Sequence, residues 1–136
     1  MSNPTSSQIA QRFTQMYIDA YKGDFTLLRD ILSTAFLCRN PLRPADGPDA
    51  VVDLLQAQID AFADLEFEVR SAFASEQGFA IAYAIKGRHI KPIFGIEPSG
   101  KPFTVTGVSL HEVADGRSIG VFSSANFVEV LGALSA

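Results

Sequence analysis

The sequence lacks tryptophan and contains one cysteine and two histidines. A single cysteine, Cys38, excludes an intramolecular disulfide and gives no zinc-site spacing. The two histidines show no ligand-like spacing with acidic residues, so we expect neither a metal site nor another cofactor. The longest uninterrupted apolar run, residues 79–85, is far too short to span a bilayer.

Basic residues are also few, with 11 Lys and Arg against 15 Asp and Glu and a net charge of −4. No basic cluster appears, so the composition argues against a nucleic-acid partner. An acidic protein would also be repelled by an anionic membrane surface. The first eight residues are polar and carry no charged segment typical of a signal peptide, so we expect a cytoplasmic protein.

Helical spacing of apolar residues marks the first half of the chain. With 136 residues and 47% apolar composition, we expect one domain spanning residues 1–136. Ser6 or Ser7 is a suitable cap for a first helix, and Gly23 fits the left-handed position at its end. A second helix follows from residue 24, and a third begins near Pro48 after a proline-rich loop. Residues 35–37 between them are predicted to be a short extended segment.

From Asp64 onward the pattern changes to alternation of apolar and polar residues, which indicates strands. We predict four strands, over residues 64–76, 79–90, 102–114 and 117–127. The tail after residue 127 is compatible with either an extended segment or a short helix. Three helices followed by strands indicate an α+β fold, with the helices covering one face of a curved antiparallel sheet. Such an arrangement encloses a cone-shaped pocket that is typically apolar with a few polar groups.

The Asp115-Gly116 turn allows the register of the last two strands to be predicted. A two-residue hairpin loop pairs Ala114 with Arg117. Counting back from that pair places four further pairs on one face of the sheet: Val105–Asn126, Gly107–Ser124, Ser109–Phe122 and His111–Gly120. This face carries several hydrogen-bonding groups, so we predict that it lines the pocket. The opposite face is more apolar, with Val108, Leu110, Ile119 and Val121, and predicts a homodimer interface.

Several stretches resemble one known family. The opening FTQMYIDAYKGDFTLLRDIL has the form helix, Gly-Asp, helix. Gly87-Arg88-His89, the loop GIEPSGK at residues 95–101, the acidic-Gly turn and the Leu-rich tail complete the likeness over nearly the whole chain. Together they resemble the SnoaL-like polyketide cyclase family, which has the nuclear transport factor 2-like fold. The resemblance implies a lyase or isomerase that performs an aldol-type cyclisation or an isomerisation on an apolar carbonyl compound.

The chain departs from the family pattern where the resemblance implies chemistry. Asn126 stands where the family has an acid/base Asp near the end of the last strand. Arg39-Asn40-Pro41 stands where the family often has His-Asp-Pro, and Phe122 and Phe127 stand near positions where tryptophans are common. An amide donates and accepts hydrogen bonds but does not remove a proton from carbon at neutral pH. The family reaction therefore cannot run unchanged on Asn126.

Three residues are candidates for a catalytic role. Asn126 and Arg39 are predicted to polarise the carbonyl of the ligand, and His89 or His111 is the candidate base. Each has a structural alternative. His89 is equally suited to hold the long loop by a hydrogen bond to a carbonyl, and Arg39 to be a solvated loop charge.

Candidate substrate-binding residues come from the polar face and from two apolar helix or strand faces: Ser109, Ser124, Phe122, Tyr17, Tyr83 and His111. The tyrosines have a plain core role as the alternative, and His111, near the hairpin tip, has that of a rim histidine. Three functions remain open: a cyclase or isomerase, a module that binds a small apolar carbonyl compound without turnover, and a dimerisation domain.

Overall fold

A computed structural model describes residues 4–38 and 46–136. Its elements, in chain order, are α1 (Ser6–Ala20), α2 (Thr26–Ile31), β1 (Leu32–Cys38), α3 (Gly47–Ala61), β2 (Phe62–Ser75), β3 (Gly78–His89), β4 (Pro102–Ala114), β5 (Arg117–Ala125) and α4 (Phe127–Ser135). The predicted α+β class with a curved sheet and helices is confirmed. The tail, for which the sequence left two conformations open, is helical.

The sheet has five strands in the order β1-β5-β4-β3-β2. Strands β2 to β5 are antiparallel neighbours, as their short connections require, whereas β1 runs parallel to β5 at the edge. The sequence predicted β1 only as an extended segment and not as a member of the sheet. Helix α1 packs on β2 and β3, and α3 packs on β1 and β2, so the helices cover one face.

Helix α1 begins one residue earlier than the predicted serine cap. The Thr5 hydroxyl accepts from the Gln8 amide at 3.2 Å, and the Thr5 amide donates to Gln8 Oε1 at 2.8 Å. This reciprocal pair satisfies two of the free donors at a helix start. At the other end, Gly23 has a φ of 87°, so the prediction of a left-handed residue there is confirmed.

The core lies between α1 and the inner face of the sheet. Ile9, Phe13 and Met16 of α1 are each at most 3% exposed, and so are Phe79 and Ile81 of β3. The rings of Phe13 and Phe79 lie 5.2 Å apart between centroids, tilted by 43°. This packing fixes α1 across the hairpin end of the sheet, where it also covers residues of β4.

A β-bulge in the last hairpin changes the predicted register. Ala114 pairs with Arg117, as predicted, but Val113 pairs with Ser118 and Glu112 with Gly120, which leaves Ile119 as an extra residue. Beyond the bulge the pairs are His111–Val121, Ser109–Ser123 and Gly107–Ala125. The four predicted pairs were therefore wrong by one residue. Since side chains alternate with a period of two, that shift reverses the face of every later β5 residue.

The reversal is visible in the exposure of β5. Val121, predicted to face outward, is 7% exposed and lies in the cavity wall, while Phe122, predicted to face inward, is 50% exposed. Ser123 takes the inward position that the sequence assigned to Ser124. The predicted pocket face was thus correct for β4 and wrong for β5.

Asn126 joins β5 to α4 rather than projecting into the cavity as predicted. Its side-chain oxygen Oδ1 accepts from the Thr106 amide at 2.9 Å, and its own amide donates to the Thr106 carbonyl at 3.2 Å. The side chain thus occupies the place of a strand carbonyl at the point where β5 ends. Asn126 is also the N-cap residue of α4 and is absent from the cavity lining.

Among the described residues, none of the helices combines the length and apolar character needed to cross a bilayer.

The pairing of Asn126 with Thr106 predicts a stability difference between two substitutions. Asn126→Ala removes the acceptor for the Thr106 amide and should lower the free energy of unfolding by about 1 kcal/mol. Asn126→Asp keeps an acceptor and adds a negative charge at the α4 N-terminus, so its stability should be close to wild type. Urea denaturation of the three proteins measures this. Equal losses in both variants would contradict the assigned pairing.

Candidate functional site

A cavity of about 510 Å³ opens between the inner face of the sheet and helices α1, α3 and α4. That volume is in the range of cavities that hold small organic ligands. Most of its wall is apolar, with contributions from Leu28, Leu32, Phe36, Val51, Leu55 and Val121. Polar side chains enter it mainly from one side, where α1 meets β3, β4 and β5.

Four hydroxyl groups meet there and form what we call the hydroxyl cluster: Tyr17, Tyr83, Ser109 and Ser123. The Ser109 and Ser123 oxygens, on paired β4 and β5 residues, are 2.9 Å apart. The hydroxyls of Tyr17 and Tyr83 both hydrogen-bond with Ser109. Ser109 is therefore the centre of the cluster.

Burial keeps the cluster protonated. Desolvation raises the pKa of Tyr17 and of Tyr83 above the ordinary value near 10, although the Ser109 hydrogen bond lowers both pKa values in part. The two phenols are thus neutral at physiological pH. A neutral phenol or serine hydroxyl is a hydrogen-bond donor, and donors in an apolar cavity suit a carbonyl or enolate oxygen.

His111 extends the cluster away from the cavity. Its Nε2 is 2.7 Å from the Tyr17 hydroxyl, and its Nδ1 is 2.7 Å from the Ser118 hydroxyl. The Ser118 hydroxyl donates to the Gly120 carbonyl at 3.3 Å. With its hydrogen used there, Ser118 accepts from Nδ1–H, so Nε2 is left to accept from Tyr17. This chain of donors fixes the orientation of the Tyr17 hydroxyl.

The surroundings of His111 decide its charge. It is 3% exposed, with the Phe13 ring edge-on at 5.5 Å between centroids. Burial lowers the pKa of His111 to about 3, so the imidazole is neutral and weakly basic. The alternative of a rim histidine was wrong, because α1 crosses the hairpin end and covers it. His111 is among the residues that line the cavity.

Glycine at position 107 leaves space for the Tyr83 hydroxyl. A Cβ atom at Gly107 would lie 2.7 Å from the Tyr83 oxygen and 2.8 Å from the Ala125 Cβ. Both distances are too short for ordinary contact, so any larger residue would displace Tyr83. The absence of a side chain at Gly107 thus helps to position one member of the hydroxyl cluster.

Further polar residues line the cavity that the sequence did not single out. The Tyr21 hydroxyl donates to Gln58 Oε1 at 3.0 Å, which joins α1 to α3. Glu129, in the first turn of α4, is the one carboxylate in the part of the cavity wall that the structure describes. It lies three residues after the position where the family resemblance places an Asp. That offset of about one helical turn is the sequence signal that could have drawn attention to it.

His89 is buried elsewhere. It is fully covered, its ring lies edge-on to Phe62 at 5.8 Å, and it is not among the cavity-lining residues. Neither ring nitrogen has a hydrogen-bond partner among the described residues. The loop is held by the His89 backbone instead, since its carbonyl accepts from the Gly100 amide at 2.9 Å. The predicted bond from its ring to a carbonyl is therefore absent there, and a catalytic role for His89 stays a prediction.

The remaining predicted site residues fall into three groups. Tyr17, Tyr83, Ser109 and His111 are brought together. Phe122 is not, because the bulge turns it outward, and Ser124 is exposed by the same shift although it still borders the cavity. Arg39 lies outside the described residues.

The chain was compared with known proteins. The family model for the SnoaL-like polyketide cyclase matches residues 10–134. The chain belongs to the SnoaL-like polyketide cyclase family. Comparison with curated proteins gives no match.

Solved structures agree with this family fold. A proposed SnoaL-like polyketide cyclase from Jannaschia sp. CCS1 superposes with a TM-score of 0.85 at 18% identity, covering 100% of this chain and 97% of that one. IdmH from Streptomyces antibioticus, a proposed polyketide cyclase, gives 0.78 at 20% identity and covers 93% and 97%. A Catenulispora acidiphila protein with a ketosteroid isomerase-like fold gives 0.67 at 12% identity and covers 96% and 94%. At these identities the likeness shows the fold alone.

The buried His111 predicts how stability depends on pH. The unfolded chain binds a proton to His111 below its ordinary pKa near 6.5, whereas the folded protein does so only near 3. The contribution of His111 is thus present above pH 6.5 and is lost as the pH falls through that window. Between about pH 8 and about pH 5 the free energy of unfolding should fall by about 2 kcal/mol from this group.

Urea denaturation of wild type, His111→Gln and Ser118→Ala over that range separates the terms. His111→Gln removes the titrating group, so most of the pH dependence should disappear. Ser118→Ala removes a hydrogen-bond partner but keeps the buried imidazole, so it should be less stable at every pH with the pH dependence retained. The same slope in wild type and His111→Gln would refute the assignment.

Proposed function

We propose that the cavity binds a small, mostly apolar compound by its carbonyl oxygen, and that the hydroxyl cluster polarises that carbonyl. The observation that carries the proposal is the meeting of four neutral hydroxyls at one side of an otherwise apolar cavity. Two of the similar structures are proposed polyketide cyclases, which supports a polyketide-like substrate for this chain as well.

The same geometry argues against a base deep in the cavity. Both nitrogens of His111 are engaged, and a pKa near 3 leaves the ring with little affinity for a proton. The hydroxyls are donors with raised pKa values for both tyrosines. The deep part of the site therefore supports binding and polarisation, and any proton removal needs another group.

Glu129 favours a second candidate function, an aldol-type cyclisation or an isomerisation. Its carboxylate is at the cavity wall, on the first turn of α4, and can accept a proton from the carbon beside a polarised carbonyl. The electron pair then moves onto the carbonyl oxygen, where the hydroxyl cluster stabilises the enolate. Without that step the protein is a binding module of the same specificity. We place either activity in the cytoplasm, as the sequence predicts.

Binding can be measured with Cys38, the one cysteine of the chain, which lines the cavity. A ketone or methyl ester of polyketide type should slow modification of Cys38 by a thiol reagent. Ser109→Ala should weaken ketone binding about tenfold, since one hydrogen bond contributes about 1 kcal/mol. A hydrocarbon of the same shape should bind wild type and Ser109→Ala equally, and the exposed Ser135→Ala should bind both ligands like wild type. A loss of equal size for ketone and hydrocarbon would contradict carbonyl recognition.

Turnover is tested separately with β,γ-unsaturated ketones and open-chain polyketide esters. If Glu129 removes the proton, Glu129→Gln should lose about 10²–10⁴-fold in kcat while it still protects Cys38. Glu97→Gln, in the exposed loop after β3, serves as the matched control and should keep wild-type turnover. Turnover that survives in Glu129→Gln would exclude Glu129 as the base, and ligand binding without any turnover would leave the binding module as the function.

A further inference from the structure

The outer face of the sheet, opposite the cavity, carries an ordered apolar surface. One row runs straight across four strands through the pairs Phe73–Ala80, Ala80–Leu110 and Leu110–Phe122. Phe73 is 72% exposed, Leu110 51% and Phe122 50%. Large apolar side chains this exposed are ordinary singly, but a contiguous set marks an interaction surface.

The relief of this surface comes from β3. Ala80 and Ala82 are small, and they lie between Phe73 on one side and Val108 and Leu110 on the other. The result is a shallow groove of about 380 Å³, which we call the outer groove. A groove of alanines bordered by projecting Leu and Phe side chains can accept the same kind of side chains from another surface.

Charges on the rest of this face are paired within the chain. Glu68 on β2 contacts Lys86 on β3 at 3.2 Å and Arg70 at 3.1 Å, and Arg88 is 3.6 Å from Asp64. These pairs contain three bases and three acids if Glu66, on the same face, is counted with them. The face therefore lacks the excess negative charge of the whole chain, which is −4. Two such faces approach with little repulsion of like charges.

We propose that a second copy of the chain covers the outer groove, with a two-fold axis passing through it. In a two-fold contact the same surface serves both partners, so Leu110 and Phe122 of each copy lie against Ala80 and Ala82 of the other. This self-complementary relief is what selects a second copy as the occupant. The proposal concerns a surface separate from the cavity and goes beyond the proposed function.

The bulge in β5 changes which residues form this interface. The sequence predicted a homodimer through Val108, Leu110, Ile119 and Val121. Val121 instead lines the cavity, Ile119 is the half-buried extra residue of the bulge, and Phe122 takes the outward position. Val108 and Leu110 keep theirs, with 54% and 51% exposure.

Sedimentation and light scattering at micromolar concentration test the proposal. Wild type should be a dimer, and Leu110→Glu and Phe122→Glu should each raise the dissociation constant at least about a hundredfold, because a charge would be buried in an apolar contact. Thr104→Glu is the matched control, since Thr104 is on the same strand and face but beside Lys86, away from the groove. It should dimerise like wild type. A monomeric wild type at all concentrations, or a dimer that both groove variants leave intact, would overturn the proposal.

Cross-linking gives an independent readout in case a charged variant folds poorly. In a Cys38→Ser background, Ala82→Cys should form a disulfide between two copies on mild oxidation, because residues near a two-fold axis face their own copies. Thr104→Cys, placed on the polar part of the same face, should remain reduced. Cross-linking of Thr104→Cys with none for Ala82→Cys would place the contact elsewhere and reject the outer groove.

Discussion

The extra residue in β5 decides which side chains of the last strand reach the cavity. Without the bulge at Ile119, Phe122 and Ser124 would face inward, and Ser109 would have a phenyl ring as its partner. With the bulge, Ser123 meets Ser109 and closes the hydroxyl cluster, while Phe122 joins the outer groove. One inserted residue thus assigns chemistry to both faces of the sheet at once.

Pairing of buried polar groups accounts for the order of the site. An unpaired hydroxyl or imidazole in an apolar cavity costs about 1–3 kcal/mol, so the groups that persist there form a connected chain. That chain runs from Ser123 through Ser109 and Tyr17 to His111 and Ser118. Its far end is held by the Gly120 carbonyl next to the bulge, so backbone geometry and hydrogen bonding support each other.

Local patterns in the sequence were sufficient for the class of fold, the hairpin turn and four residues of the hydroxyl cluster and its histidine. Alternation identified the inner face of β4, and the Asp-Gly turn gave the Ala114–Arg117 pair correctly. The bulge was not predictable, because no proline or strand break marks Ile119. The burial of His111 depends on α1 crossing the hairpin, a contact between residues 94 positions apart that no local pattern records.

The parallel edge pair has a consequence for how the protein is made. Strand β1 finds its partner in β5, more than eighty residues later, so the sheet order cannot be completed early in synthesis. Contacts this distant in sequence are slow to form because a long loop must close first. Until β5 and α4 have left the ribosome, the emerging chain has the helical wall of its cavity but lacks Val121, Ser123 and Phe127. The nascent protein therefore presents an open, half-built binding cleft, and it becomes a closed container only with its final residues.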